Sequence, residues 1–201
     1  MPTKHKINRR LALLYAARQV LAEKGFESTT ISEIVTRAGV AQGTFYLYFP
    51  SKVAVVIALA EELQEQIEIA IKEAHAQAPR PEAFVETSVK AAFRILGEYR
   101  DILGVIHSGV CWTEAPRERE RIFAPYYTLI AELIRYEQKH GTVHTSIKPE
   151  IAAVLIVGLV YYAADECYLY NSAASPETYI TETISFIRHA VGVSERTPKP
   201  E

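Results

Sequence analysis

The stretch STTISEIVTRAGVAQGTFYLYFPSK, residues 28–52, decides how this chain is read. Thr30-Ile31-Ser32-Glu33 has the spacing of a capping box: the Thr30 hydroxyl accepts from the Glu33 amide while the Glu33 carboxylate reaches back to the Thr30 amide. The helix so started is expected to run to Ala38 and stop before Gly39. A short helix follows from Gln42 to about Tyr48, closed by Phe49-Pro50, and Ser51 then caps a long helix over Lys52–Gln77. Two short helices across a glycine turn, with a third packed behind them, make a helix-turn-helix. Ile31, Ile34 and Val35 fall on the inner face of the first helix, and Val40, Phe45 and Phe49 on that of the second.

What remains outside on the second helix is Gln42, Gly43, Thr44, Tyr46, Leu47 and Tyr48. A surface of amide, hydroxyl, bare backbone and aromatic groups, with no acid, suits the major groove of DNA. Glutamine can pair with adenine, and threonine or leucine can touch a thymine methyl. Gly43 lets backbone approach a phosphate closely, and tyrosine hydroxyls bond phosphate oxygens. Thr29, Thr30 and Lys52 stand at helix starts, where free amides attract phosphate. Lys6, Arg9 and Arg10 form a basic arm ahead of the first helix, able to follow the backbone or enter the minor groove.

Working outward, nearly everything else reads as helix: Asn8–Lys24 with Gly25 as its stop, then residues 82–99, 101–113, 116–140 with a bend near Pro125, 149–171 and 176–191, where Ser175 is a good cap. Pro79-Arg80-Pro81 must break the long helix. No period-2 pattern long enough for a sheet occurs, so the class is all-α. We expect a three-helix DNA-binding head over 1–52, joined by the long helix to a helical bundle for ligand binding and dimerisation over 53–193, with a disordered tail over 194–201. The net charge of −2 hides an asymmetry: residues 1–60 hold eight bases and three acids, and the remainder 14 bases and 21 acids. A basic end on an acidic body points one surface at a polyanion.

Cys111 and Cys167 cannot build a disulfide framework, and the first residues show no apolar run of a signal peptide. The apolar run Ile151 to Ala164, 14 residues, reads as a buried core helix rather than a membrane span. A cytoplasmic protein without membrane attachment is expected.

The order Gly25-Phe26, Thr29-Thr30-Ile31, Ile34-Val35, Ala38-Gly39-Val40-Ala41, Gly43-Thr44-Phe45-Tyr46, Tyr48-Phe49 and Ser51-Lys52 resembles the signature of the TetR family of repressors. The resemblance covers about 45 N-terminal residues; beyond them only length and helical character match. It implies a homodimer with one DNA-binding head per subunit, a palindromic operator, and a ligand in the larger domain that releases the DNA. By position it implies DNA contact at Thr30, Gln42, Gly43, Thr44, Tyr46, Tyr48 and Lys52. Ala41 departs from the Ser or Thr usual at its place, so the recognition helix lacks a side-chain cap, and Leu47 departs from the His, Tyr or other polar residue usual at its own, which bears on contact there.

The second half is rich in aromatics able to line a cavity with apolar bodies and polar tips. Phe93, Trp112, Tyr126, Tyr127, Tyr161 and Tyr162 are the ligand candidates, with His107 and Asp165 for polar anchoring; Arg94 and Glu166 are further options. An acid would suit a cationic, drug-like effector, whereas an arginine or histidine would suit a carboxylate or acyl thioester. The head is similar to those of regulators of fatty-acid metabolism, which favours a lipid-like effector. Dimerisation should use the last two helices.

No nucleophile elbow, P-loop, H-E-x-x-H or Cys-x-x-Cys occurs, and His140 and His144 are separated by Gly141. No enzyme activity, cofactor or metal is therefore expected. A redox sensor using the two cysteines, or a helical small-molecule-binding protein or enzyme with no DNA role, are the other readings.

Overall fold

The computed structural model describes residues 4–77, 83–109, 112–113, 115–170 and 173–192, with side chains from Arg9 onward. Nine helices lie among these residues, and no strand. They are α1 (Lys4–Ser28), α2 (Ile31–Ala38), α3 (Gln42–Tyr46), α4 (Lys52–Gln77), α5 (Phe84–Glu98), α6 (Arg100–His107), α7 (Pro116–Lys139), α8 (Pro149–Tyr168) and α9 (Pro176–Val191). The all-α class is as expected. Cys111, the Pro79–Pro81 break and the 194–201 tail lie outside the described residues.

Helix ends follow their capping chemistry. Gly25, at φ 72° and ψ 177°, bends the chain inside the α1 range, a backbone state that side chains with a Cβ avoid. At the start of α2 the Glu33 amide donates to the Thr30 hydroxyl at 3.3 Å, and the Thr30 amide donates to Glu33 Oε2 at 3.0 Å, which is the full capping box. Gly39 closes α2 in the left-handed region at φ 66°. Ala41 caps α3 without a side-chain bond, as its chemistry requires, and α3 ends at Tyr46, two residues earlier than expected. Ser51 Oγ accepts from the Ala54 amide at 3.1 Å, and Ser175 Oγ from the Thr178 amide at 3.3 Å. The expected helix over 101–113 is the largest departure: α6 stops at His107, and Gly109 at φ 80° turns the chain out of helical geometry.

The chain groups into two compact units, residues 1–63 with 99–122, and residues 64–98 with 123–201. The head was expected to end at 52; 53–63 and the distant segment 99–122 also pack with it. In the first unit α1 packs on α2 and α6, and α2 on α3. Its core is built by Leu13, Ala17, Leu21, Ile34, Phe45, Val55, Val56, Leu59, Ile102 and Leu103. In the second unit α5 packs on α8 and α9, and α8 on α9, around Ile67, Ile71, Phe93, Leu96, Ile134, Ala153, Val157 and Ile187.

A polar clasp ties α6 to α1. Arg18 donates from Nε and Nη2 to the two carboxylate oxygens of Asp101 at 2.9 and 2.7 Å, and its guanidinium lies 4.2 Å from the Tyr99 ring centroid. The Tyr99 hydroxyl in turn donates to Glu62 of α4 at 2.7 Å. A bidentate guanidinium pair with a face-on aromatic is among the stronger exposed arrangements, although the pair is partly solvated, with 24% and 40% side-chain exposure. We expect Asp101→Ala to cost about 1 kcal/mol. A double-mutant cycle with Arg18→Leu, followed by urea unfolding at fixed protein concentration, should return a coupling of about 0.5–1 kcal/mol.

Candidate nucleic-acid interface and ligand-binding residues

Phe45 fixes α3. Its side chain is fully buried, 5.5 Å from the Tyr46 ring in an edge-on contact and 5.8 Å from the Phe49 ring. With that residue anchored, the opposite face is free: Gln42, Gly43, Tyr46 and Leu47 are exposed, Leu47 at 77%, and Thr44 and Tyr48 are half-buried beside them. Thr30 is also exposed, and Arg9 and Arg10 are exposed on α1, with the Arg10 guanidinium 5.4 Å from the Phe49 ring. These residues, separated by up to 39 positions, carry no acidic side chain among themselves.

Two expected contact residues do not join them. Thr29 is 2% exposed, and its hydroxyl donates to the Gly25 carbonyl at 2.7 Å. It closes the bend after α1 instead of facing outward. Lys52 is half-buried, and its ammonium donates to the carbonyls of Phe26 at 2.5 Å, Thr29 at 2.8 Å and Glu27 at 3.4 Å while lying 4.2 Å from the Phe26 ring. An ammonium has three donors, and all three are turned to backbone, so Lys52 ties the start of α4 to the end of α1.

Several other bases of the head are paired as well. Lys24 bonds Glu33, and Arg37 grips Glu23 with contacts of 2.5 and 2.7 Å. Arg9 and Arg10 make no ion pair among the described residues. Hydrogen bonds from Lys24, from the Thr30 hydroxyl and from the Thr30 amide hold the Glu33 carboxyl well below the usual carboxylate range, at about 2. A depressed folded-state value means a contribution present above the ordinary value near 4.5 and lost as pH falls toward 2. Glu33→Gln should therefore lower the melting temperature at pH 7. The difference from wild type should shrink to nothing as thermal scans descend from pH 5 to pH 2, in the window set by the shift to about 2.

The ligand candidates fall into three groups. Phe93, Tyr126 and Tyr161 are buried in the second unit, with Tyr127 and Asp165 half-buried there. Phe123 brings the group together, its ring 5.5 Å from Tyr161 and 6.0 Å from Tyr127. His107 and Trp112 belong to the first unit, where the Trp112 indole donates to the Ile106 carbonyl at 2.9 Å. Tyr162 is 65% exposed and lines an outward groove of about 480 Å³ between α8 and α9, with Leu159, Tyr179, Glu182, Phe186 and His189. It is thus separated from the buried aromatics one residue away. The reading of the sequence missed Gln64, which is 3% exposed and donates its amide to the Tyr161 hydroxyl. Its signal was its place on the buried face of α4 with Ala60, Leu63, Ile67 and Ile71. Cys167 is half-buried; burial first, then Glu177, pushes its thiol above the ordinary value, the wrong direction for a reactive thiolate.

A short helix held by one buried phenylalanine, presenting an uncharged polar face, on a two-unit all-helical chain is the architecture of a helix-turn-helix DNA-binding regulator. The chain matches "Bacterial regulatory proteins, tetR family" over residues 13–59 and "Tetracyclin repressor-like, C-terminal domain" over residues 85–191. It is 31% identical over 186 residues to the HTH-type transcriptional regulator YvdT of Bacillus subtilis, covering 90% of this chain and 94% of that protein. The chain belongs to the TetR family of transcriptional regulators. Its fold is shared with the fatty acid degradation regulator FadR from Bacillus halodurans, at a TM-score of 0.79 and 22% identity over 94% of this chain and 96% of that one. It is shared likewise with Bacillus subtilis FadR, solved in complex with stearoyl-CoA, at 0.77 and 19% over 88% and 96%.

Proposed function

We propose that this protein is a cytoplasmic repressor that binds a palindromic operator as a homodimer and is released by a small, largely apolar effector, with no catalytic step. The uncharged outer face of α3 is the observation that carries the DNA reading. Gln42, Thr44 and Leu47 read base edges, Gly43, Tyr46 and Tyr48 meet phosphates, Thr30 sits at the groove rim, and Arg9 and Arg10 supply the charge. The buried aromatics of the second unit support an apolar effector, and the stearoyl-CoA held by the Bacillus subtilis FadR structure supports an acyl chain as its apolar part.

A second copy of the chain would cover the apolar face of α8 and α9. Ile151, Val154, Leu155, Tyr162 and Phe186 are 48–67% exposed there, too many large apolar groups on adjoining helices for a monomer in water. An isologous contact doubles such a face into a four-helix interface.

The test is fluorescence anisotropy with a duplex from the promoter of the protein's own gene. Tyr46→Ala should weaken binding about tenfold with the helical spectrum unchanged. Arg10→Ala should reduce the slope of log K against log salt by about 1. Stearoyl-CoA at micromolar concentration should raise the operator Kd. If Tyr46→Ala and Arg10→Ala both bind like wild type, the contact surface lies elsewhere. Leu155→Glu should convert the dimer to a monomer in light scattering and abolish tight operator binding, because half-sites are then engaged singly.

A further inference from the structure

Within the second unit one buried amide is left half-satisfied. Gln64 bonds the Tyr161 hydroxyl through its NH2 group, and its Oε1, shielded from solvent, meets no donor. Turning the amide over only moves the open position to the nitrogen, since one end is always spent on Tyr161. The Tyr126 side chain is 2% exposed and stands near Tyr161. Buried polar atoms are almost always paired, so an open amide bonded to one buried tyrosine, with a second tyrosine near it, marks a place where something else supplies the partner. The neighbours are Phe123, whose ring is 5.5 Å from that of Tyr161, and two acids, Glu68 near Tyr126 and Asp165 near Tyr161.

We propose that Gln64, Tyr126 and Tyr161 form the polar anchor of the effector site, and that they accept an uncharged group with both a donor and an acceptor, such as an amide, at one end of an apolar molecule. This rests on the reading of the second unit as the effector domain. The amide oxygen takes the ligand's N–H and the Tyr126 hydroxyl donates to its carbonyl. A carboxylate is disfavoured because Glu68 and Asp165, near the two tyrosines, set negative charge against it. A quaternary ammonium has no donor for the open acceptor. Burial, chiefly, also raises the Tyr126 and Tyr161 hydroxyls far above their ordinary value, which keeps both as neutral donors throughout the working range.

The experiment is calorimetry of the full-length protein with three probes of one chain length, all below their micellar concentration: decanamide, decanoate and decyltrimethylammonium. At pH 8 decanamide should bind at least about tenfold tighter than either charged probe, the loss expected when a buried partner goes unpaired. Gln64→Leu and, separately, Tyr126→Phe should each weaken decanamide about tenfold and leave decanoate unchanged. Tyr126→Phe keeps the ring and serves where Gln64→Leu perturbs folding, as judged by circular dichroism. Equal affinity for the three probes, or decanamide binding to both variants as to wild type, overturns the proposal; the latter is also the result if a bridging water alone satisfies Gln64. The stearoyl-CoA release assay is read separately. If no acyl compound releases operator while decanamide still binds through Gln64, the anchor stands and the reading of the effector's role falls.

Discussion

The DNA-binding head depends on how the backbone is satisfied around the bend after α1. Gly25 turns the chain at φ 72°, which frees the carbonyls that follow it. Lys52 takes those of Phe26, Glu27 and Thr29, and the Thr29 hydroxyl takes that of Gly25. Lys52 is the first residue of α4, so this one ammonium fixes two helix ends together. The α2 start is set one residue after Thr29, by the Thr30 and Glu33 capping box, and α3 follows α2 across Gly39. The position of the reading face is thereby inherited from a chain of backbone hydrogen bonds. Charge-assisted bonds to carbonyls are stronger than neutral ones, which suits an element only five residues long that could not hold its own geometry.

That economy shapes the electrostatics of DNA binding. Arg18, Lys24, Arg37 and Lys52 are all spent inside the first unit, on Asp101, Glu33, Glu23 and backbone. The basic excess counted along residues 1–60 therefore overstates the charge offered to phosphate. Of the eight bases, Lys4, Lys6, Arg9 and Arg10 are left, all at the start of the chain.

The head was legible because its signals are local. A capping box, a left-handed glycine and an i, i+4 phenylalanine pair each act within one or two turns, and Thr30, Gly39, Phe45 and Phe49 stand where their spacing required. Thr29 and Lys52 bond inside the head because the same groups that bind phosphate also bind carbonyl oxygens, and spacing alone does not decide between them. α6 is shorter than its apolar period because Gly109 takes a positive φ that periodicity does not encode. Tyr161 and Tyr162 are not told apart by the sequence because α8 is apolar nearly all round and marks no inner face. Gln64 is harder to single out because glutamine in a long amphipathic helix is normally solvated, whereas this one lies on the buried face.

The second unit answers a different physical demand. A core of Phe93, Phe123, Ile134 and Val157 could be closed with leucine at position 64 and phenylalanine at 126, and would be more stable for it. Retaining an amide and two phenols there, one amide end open, costs roughly 1–3 kcal/mol in the empty protein. A molecule that completes the set removes that cost as well as adding its own apolar burial, so binding and tightening of the domain are coupled. Uncharged groups serve this purpose better than an ion pair. A buried charge left without a partner would penalise the empty state far more heavily.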